Sequence, residues 1–257
     1  MDVWTGRYSG QSALITGGAG DIGFATAERL AAEGAVVGIV DIRAPEAEAA
    51  AARLTEAGYR AYACPADITK PDEVKAAFDA FEARTGRIDV LANLAGSLSW
   101  VEFEEMTLER WRKIIAVNLD GTFVTCHDVM PRMIKRGYGR ISTVSSGTVY
   151  LGLTNQSAYI AAKIGVVGYT RVLARQGGPH GITANTVTPT LTDTQQNIDL
   201  LGDRAEEAFA AVVKSQCVGR RGKPEDIAEG VAWVCSKAAS FYTGQVLYMG
   251  GGDRFSM

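Results

Sequence analysis

The chain has 257 residues, of which 47% are hydrophobic and 21% are charged, and its formal net charge is −3. This length suits one large α/β domain, and the composition argues against disordered and fibrous proteins. The absence of a basic excess argues against nucleic acid as a partner. Since the sequence also shows no signal-like N-terminus and no apolar run long enough for a bilayer, we expect a cytoplasmic protein without a membrane partner.

Short β-branched runs alternate with alanine-rich stretches, which is typical of β-α-β units around a parallel sheet. The predicted strands are residues 13–16, 36–41, 61–66, 90–94, 140–145, 183–188 and 245–249. The predicted helices are residues 22–33, 45–57, 72–84, 117–135, 158–176, 205–213 and 225–236. No linker or internal repeat interrupts this pattern, which predicts a Rossmann-type, doubly wound, seven-stranded parallel sheet in three α/β/α layers. We expect one domain over residues 1–257, with a mobile substrate lid at about residues 190–217.

A glycine-rich segment connects the first predicted strand to the first predicted helix. It reads Thr-Gly-Gly-Ala-Gly-Asp-Ile-Gly over residues 16–23. Glycine lets the backbone approach a pyrophosphate, while free N–H groups and the helix dipole favour the negative charge. On the first β-α turn of the chain, this segment predicts a dinucleotide site.

Asp41 ends the second predicted strand, where a carboxylate can accept hydrogen bonds from an adenosine ribose. The same carboxylate would repel a 2′-phosphate by roughly 4 kcal/mol per unit charge at 4 Å, if the effective dielectric constant is about 20. We therefore expect NAD rather than NADP as cofactor. Arg43 lies two residues further on and could partly offset this repulsion.

Tyr159 and Lys163 are four residues apart in a predicted helix and so share one face of it. An ammonium group stabilises a nearby phenolate, and we expect Lys163 to lower the tyrosine pKa toward a range useful for acid/base catalysis. The preceding strand ends in Ser145 and Ser146, at the edge of a parallel sheet where ligands bind. A serine there could hold a substrate oxygen.

Further motifs agree with this interpretation. They are Ala-Asp-Ile at residues 66–68, Asn-Leu-Ala-Gly at 93–96, Val-Asn-Leu-Asp-Gly at 117–121, Asn-Thr-Val-Thr-Pro at 185–189 and Thr-Gly-Gln at 243–245. With the glycine loop and the tyrosine–lysine pair, they make the chain resemble a classical short-chain dehydrogenase/reductase over essentially its whole length. Within that family it is similar to dehydrogenases of 1-phenylethanol and cyclic alcohols.

The resemblance implies hydride transfer between nicotinamide and a carbinol carbon, with four catalytic residues. Tyr159 would exchange the proton of the substrate oxygen, Ser146 would hydrogen-bond that oxygen, Lys163 would bind the nicotinamide ribose, and Asn118 would support a water relay. The family spacing of thirteen residues to the tyrosine selects Ser146, so that we expect a structural role for Ser145.

The resemblance also implies a set of cofactor-binding residues. They are Gly17, Gly20, Asp21, Ile22, Gly23, Asp41, Ile42, Asp67, Ile68, Asn93, Ala95, Gly96, Tyr159, Lys163, Pro189, Leu191 and Thr194. Asp21 departs from the family because a glycine is usual at this position, and its carboxylate could weaken binding of the pyrophosphate. We expect Asp21 to cap the first helix instead. Leu94, Thr190 and Gly250 also depart from the family pattern.

The substrate is expected to be a hydrophobic, aromatic or cyclic secondary alcohol or its ketone. The candidate substrate residues are Ser146, Thr148, Tyr150, Leu153 and Tyr159, and further apolar walls are expected from Leu98, Trp100, Val149 and Leu151. The two histidines lack ligand partners at metal spacing, so no metal site is predicted. The four cysteines are widely spaced and are expected to be buried free thiols.

Two alternatives remain open. A 3-oxoacyl-thioester reductase of the same family is one, although those enzymes usually resemble NADP users, which Asp41 disfavours. A dinucleotide-binding sensor without turnover is the other, and Asp21 is the feature that favours it. The family resemblance also suggests a homotetramer, consistent with the small residues Ala161, Ala162, Gly165 and Gly168 in the predicted helix of residues 158–176.

Overall fold

A computed structural model describes residues 5–254, and within this range seven strands form one sheet. The strands are β1 (Ser12–Thr16), β2 (Val36–Val40), β3 (Ala61–Ala63), β4 (Val90–Asn93), β5 (Gly139–Val144), β6 (Ile182–Pro189) and β7 (Val246–Met249). Their spatial order is β3-β2-β1-β4-β5-β6-β7, and every neighbouring pair is parallel. All seven predicted strands are present. Strand β3 is shorter than predicted, although the N–H groups of Cys64 and Ala66 still donate to the oxygens of Ile39 and Asp41 at 2.8 and 3.0 Å.

The helices of the described range follow the predicted alternation. They are α1 (Asp21–Ala32), α2 (Ala44–Glu56), α3 (Pro71–Thr85), α4 (Leu108–Ile115), α5 (Gly121–Arg136), α6 (Ser157–Gly177), α7 (Gln195–Leu201), α8 (Ala205–Ser215) and α9 (Pro224–Val234). Helices α4 and α7 were not predicted. A signal for α4 was present, since Thr107 accepts a hydrogen bond from the Arg110 N–H at 3.2 Å as an N-cap.

Two apolar cores cover the two faces of the sheet. Leu30, Leu54 and Val231 belong to the core beneath α1, α2 and α9, whereas Phe78 and Met133 belong to the core beneath α3, α5 and α6. Because helices cover both faces, the central strands β1, β4, β5 and β6 are buried along nearly their whole length. This confirms the predicted three-layer, Rossmann-type fold.

The chain order of the sheet reverses between β1 and β4. From β1 the chain moves outward to β2 and β3, and it then returns to β4 on the other side of β1. A crevice opens outside the carboxyl ends of the strands at such a reversal. This arrangement brings the glycine loop after β1 close to the segments that follow β4 and β5.

The remaining sequence expectations divide into those that the structure meets and those that it does not. Cys64, Cys126 and Cys235 are buried, but Cys217 is exposed beside the backbone oxygen of Gly252, which corrects the expectation for this cysteine. None of the helices within residues 5–254 has the length and apolar character needed to cross a membrane. The ends of the predicted domain, residues 1–4 and 255–257, lie outside the described residues.

Candidate active site

A cleft of about 1010 Å³ opens at the carboxyl ends of the strands. Its walls come from the segments after β1 to β6, from α7 and α8, and from the residues after β7. All but three of the predicted cofactor, catalytic and substrate residues line it. The three exceptions are Asn93, Asn118 and Tyr150.

The glycine loop approaches its neighbours too closely for larger side chains. A Cβ atom on Gly17, whose φ is +64°, would lie 2.9 Å from Ala95 Cα, and one on Gly23 would lie 2.0 Å from the Gly17 oxygen. Gly20 is the N-cap of α1 and has no side chain to occupy the first N–H groups of this helix. The loop therefore leaves room and hydrogen-bond donors for an anionic group, as a pyrophosphate requires.

Asp41 lies at the end of the cleft beyond β2. Its carboxylate accepts hydrogen bonds from the Ala19 N–H at 3.3 Å, the Arg43 N–H at 3.1 Å and Arg43 Nε at 3.1 Å. Arg43 is half-exposed, so that its guanidinium is both paired with Asp41 and open to solvent. The side chain of Ile42 is exposed between them along the chain and also lines the cleft.

Asn93 does not line the cleft, which corrects the prediction of a cofactor contact for its side chain. Thr16 donates to Asn93 Oδ1 at 2.7 Å, and Asn93 Nδ2 donates to Thr125 Oγ1 at 2.6 Å. Thr16 Oγ1 in turn accepts the N–H groups of Leu94 and Ala95, each at 3.1 Å. Because Asn93 is the last residue of β4 and is buried between β1 and α5, its amide supports the loop that lines the cleft instead.

Tyr159 and Lys163 are buried on the face of α6 that lines the cleft. Lys163 Nζ donates to the Val144 oxygen at 3.2 Å and lies 5.6 Å from the centre of the Tyr159 ring. The Ser146 hydroxyl lies in the same cleft, 2.9 Å from the Thr148 hydroxyl. Ser145 instead donates to the Lys163 backbone oxygen at 3.0 Å, which attaches β5 to α6.

Burial controls the pKa values of both groups. It raises the pKa of Tyr159 to about 12, while the Ser146 hydroxyl acts in the opposite direction. Burial also lowers the pKa of Lys163 to about 8. Lys163 Nζ lies 5.6 Å from the centre of the Tyr159 ring, and the lowering of the tyrosine pKa by its ammonium group stays a prediction. A hydrogen bond with Ser146 lowers the tyrosine pKa against the larger effect of burial.

Asn118 lies in a π-helical turn, Ala116–Asp120, between α4 and α5. Such turns often occur at functional sites. Asn118 Nδ2 donates to the oxygens of Ser97 and Ile114 at 3.1 and 3.0 Å, whereas its buried Oδ1 has no partner among the described residues. A Cβ atom on Gly96 would lie 2.8 Å from Asn118 Oδ1 and 3.2 Å from Lys163 Nζ. The space beside Gly96 is therefore bounded by a hydrogen-bond acceptor, Asn118 Oδ1, and a hydrogen-bond donor, Lys163 Nζ.

The candidate substrate residues divide into two groups. Thr148 and Leu153 line the cleft. Tyr150 does not, which corrects its predicted substrate contact, because its half-exposed ring packs edge-on against Tyr248 with the ring centres 5.5 Å apart. Gln156 and Asp253 line the cleft but were not predicted. Gln156 lies three residues before Tyr159, and its position next to the catalytic helix was the one sequence feature that could have pointed to it.

Asp21 does not cap α1, which corrects the expectation from the sequence. It is the first residue of this helix, and its carboxylate accepts the N–H of Gln195 at 2.6 Å. Gln195 is the first residue of α7, so the contact joins the glycine loop to the segment predicted as a lid. Thr194 caps the same helix by accepting the Asn197 N–H at 3.2 Å.

The chain is similar to known oxidoreductases. Residues 17–253 match a family model described as enoyl-(acyl carrier protein) reductase. The D-threitol dehydrogenase of Mycolicibacterium smegmatis is 38% identical over 96% of this chain and 94% of that protein. The 3-oxoacyl-[acyl-carrier-protein] reductase of Aquifex aeolicus is 32% identical over 96% of this chain and 98% of its own. Among solved structures, levodione reductase has a TM-score of 0.90 and is 32% identical over 95% of this chain and 98% of its own.

The chain belongs to the short-chain dehydrogenase/reductase family. It is an oxidoreductase of the class that interconverts alcohols and ketones, and the family typically uses NAD or NADP. A short-chain dehydrogenase needs room for a dinucleotide phosphate and a proton-exchanging group in one cleft. The open N-terminus of α1 and the buried Tyr159 meet both requirements.

Proposed function

We propose that this short-chain dehydrogenase interconverts a secondary alcohol and its ketone with NAD. The observation that carries the proposal is that the buried Tyr159 and Lys163 and the half-buried Ser146 share one cleft with the open glycine loop. The apolar side chains of Leu98, Leu153 and other wall residues support a hydrophobic, aromatic or cyclic carbon skeleton.

Ser146 and Tyr159 act on the substrate oxygen. In the direction of oxidation, the C–H bond of the carbinol carbon breaks with its electron pair, the O–H bond releases its proton to Tyr159, and the C=O double bond forms. Ser146 donates a hydrogen bond to the oxygen, which is worth on the order of 3 kcal/mol where negative charge develops. In the direction of reduction, Tyr159 returns the proton.

Lys163 and a water held by Asn118 Oδ1 carry the proton between Tyr159 and solvent. The ammonium of Lys163 and Asn118 Oδ1 bound the space beside Gly96, which suits a bridging hydroxyl or water. Because the pKa of Lys163 is lowered to about 8 by burial, this side chain can release and regain a proton near neutral pH.

The chain offers a separate group for each part of the cofactor. When bound, NAD supplies the hydride acceptor and a positive charge that favours the Tyr159 phenolate. The N–H groups at Gly20 and the start of α1 would hold the pyrophosphate, Asp41 would hold the adenosine ribose, and Lys163 the nicotinamide ribose. Asp41 supports NAD over NADP, but its pairing with Arg43 reduces the margin.

Assembly, domain organisation and location are also proposed. Ala161, Ile164, Gly168 and Val172 form an exposed, small or apolar stripe on α6, which supports a homotetramer packed through this helix. Residues 1–257 are proposed to form one domain with a lid of α7 and α8 at about residues 190–217. Light scattering of the purified protein would report the subunit number, and a cytoplasmic location stays a prediction.

A second candidate is reduction of a 3-oxoacyl thioester, which the Aquifex relative favours. A thioester reductase of this family would be expected to use NADP rather than NAD. The Asp41 carboxylate would then have to tolerate the 2′-phosphate of that cofactor. A sensor without turnover has less support, since simple binding needs neither Ser146 nor Tyr159.

The test is a spectrophotometric assay of the purified protein with NAD and with NADP on secondary alcohols, and with acetoacetyl thioester in the reverse direction. We expect turnover of alcohols with NAD and a loss of at least about a thousandfold in Tyr159→Phe, which keeps the ring but removes the exchangeable proton. A preference for thioester with NADPH would support the second candidate. Tight NADH binding without any turnover would favour the sensor.

A further inference from the structure

The cleft contains buried polar atoms that no residue within the described range 5–254 satisfies. Apart from Arg254 Nε, which forms an ion pair with Asp253 Oδ2 at 3.5 Å, they are Gln156 Oε1, Trp100 Nε1 and Asp253 Oδ1, and all of these residues line the cleft. Buried polar groups are nearly always hydrogen-bonded, because an unpaired one loses its water without compensation. Three such atoms around one cleft point to a ligand that pairs with them.

Gln156 is the most deeply buried of the three residues. It is 3% exposed, and its side-chain amide makes no hydrogen bond within residues 5–254. It precedes α6 directly and lies three residues before Tyr159, so that both side chains are fixed by the same helix start. The amide is therefore held close to the group that exchanges a proton with the substrate.

Asp253 reaches the cleft from the other edge of the sheet. Its Oδ2 accepts hydrogen bonds from the hydroxyls of Tyr248 at 3.0 Å and Thr190 at 3.3 Å, which leaves Oδ1 as the free acceptor. A Cβ atom on Gly250 would lie 2.2 Å from this Oδ1, so the position of Asp253 depends on the glycine at residue 250. Since β7 and β2 lie on opposite sides of β5, Asp253 is far from Asp41 and the proposed ribose site.

The charge of this region favours a neutral partner. Arg254 Nε lies 3.5 Å from Asp253 Oδ2, so the carboxylate has a cation beside it. The unpaired atoms comprise two acceptors, on Gln156 and Asp253, and one donor, on Trp100. An alcohol hydroxyl both donates and accepts and can pair with either kind, whereas a hydrocarbon group would leave all three unsatisfied.

We propose that the substrate carries at least one hydroxyl in addition to the reacting one, and that Gln156 binds it. This inference rests on the proposed alcohol–ketone function and names its substrate class, a compact diol, polyol or hydroxyketone. Gln156 determines specificity by hydrogen-bonding the second hydroxyl, and Asp253 and Trp100 provide further hydrogen-bonding positions for longer polyols. The apolar walls contact the carbon skeleton between these groups.

The experiment compares matched substrates that differ by one hydroxyl. The pairs are butane-2,3-diol with butan-2-ol and cyclohexane-1,2-diol with cyclohexanol, and threitol extends the series. In the wild type we expect kcat/KM with NAD to be at least tenfold higher for the hydroxylated member of each pair, because a site with hydrogen-bonding groups rejects the analogue that lacks the partner. All stereoisomers are assayed separately.

Gln156→Leu tests the residue. We expect a loss of at least tenfold in kcat/KM for the preferred diol, a change of less than about threefold for the mono-alcohol, and an unchanged Kd for NADH. Gln176→Leu, an exposed glutamine near the other end of α6, is the matched control and should change none of these. Because Gln156→Leu removes an unpaired buried amide, its Tm should be equal to or above that of the wild type.

Two different results would separate the two proposals. Equal turnover of mono-alcohols and diols, or no turnover of any diol, would overturn the inference about Gln156. Oxidation of the mono-alcohols would still support the proposed function in that case. A fall in Tm with equal loss on both substrate types would show that Gln156 is structural. If no alcohol of either type is oxidised and thioester is reduced instead, the proposed function itself fails.

Discussion

Asn93 and Asn118 are two buried asparagines in neighbouring regions of the molecule, and their surroundings differ. Below the glycine loop, Thr16 and Thr125 use both ends of the Asn93 amide. In the catalytic region, only Nδ2 of Asn118 is used, and Oδ1 has no partner within residues 5–254. A buried amide with both ends paired holds its neighbours in place. One with an unused atom beside the cleft is available for chemistry.

Asn118→Ala tests the difference between the two asparagines and should have a large effect on activity. We expect kcat to fall at least a hundredfold, the range for loss of a proton-transfer group, because Oδ1 no longer bounds the space beside Gly96. Loss of the bonds to Ser97 and Ile114 should lower the free energy of unfolding by only about 1–2 kcal/mol. Steady-state kinetics and urea unfolding of the same preparation check both values.

Asn93→Ala is the matched control and should behave in the opposite way. It leaves the buried hydroxyls of Thr16 and Thr125 without their amide partner, which we expect to reduce the free energy of unfolding by about 3 kcal/mol. The remaining folded protein should keep kcat within about threefold. If Asn118→Ala lowered stability as much as Asn93→Ala and left kcat intact, the distinction between the two regions would be wrong.

Lys163 extends the comparison to a buried charge in the catalytic region. Burial lowers the pKa of Lys163 from its ordinary value of 10.5 to about 8 in the folded protein. Between pH 8 and pH 10.5, Lys163 is protonated in the unfolded chain but not in the folded chain. The free energy of unfolding therefore rises with pH across this window. Below pH 8 the full penalty applies, which is about 3 kcal/mol at 1.36 kcal/mol per unit.

Lys163→Met should therefore be inactive but more stable than the wild type at pH 7, by up to about 3 kcal/mol. The difference should fall to about 1 kcal/mol at pH 9.5, still below the range in which Tyr159 would titrate. Urea unfolding without nucleotide at the two pH values measures it. A difference that does not depend on pH would mean that the lysine is neutral or well solvated throughout.

The positions of the main site residues were predictable from the sequence, but the pairing of their polar atoms was not. The glycine loop, Asp41, Tyr159 and Lys163 depend on local spacing, and the alternation of strands and helices orders the sheet. Asn93 was predicted among the cofactor-binding residues because a motif gives the position of a residue along the strand but not the direction of its side chain.

The errors concentrate where distant segments meet. Tyr150 was expected in the cleft, but it packs against Tyr248, almost a hundred residues later in the chain. Gln156 and Asp253 were missed because neither has a local pattern, and only folding brings both to one cleft. Helix α7 has seven residues with little apolar periodicity, and it depends on the cap at Thr194 and on Asp21.

The smallest expected effect concerns Asp21, whose carboxylate is hydrogen-bonded and yet lines the cleft. Asp21 therefore tests whether a polar group with a partner can also influence cofactor binding. Its carboxylate accepts the Gln195 N–H and also adds negative charge at the proposed pyrophosphate site. Asp21→Asn keeps an oxygen for the hydrogen bond and removes the charge. We expect the Kd for NADH to fall about threefold at low ionic strength, with the gain disappearing at about 0.5 M salt as screening shortens the range of the charge.

Two further variants separate the charge from the contact with the lid. Glu28→Gln removes an exposed carboxylate about 10 Å further along α1 and should leave the Kd for NADH unchanged. Asp21→Ala removes both the charge and the hydrogen bond, so its difference from Asp21→Asn measures what the contact with Gln195 contributes to closing α7 over the cofactor. Weaker NADH binding by Asp21→Asn at every salt concentration would mean that the Asp21 carboxylate holds the lid in place for the nucleotide. A hydrogen-bonded group in this cleft would then contribute to binding as directly as the polar groups without partners.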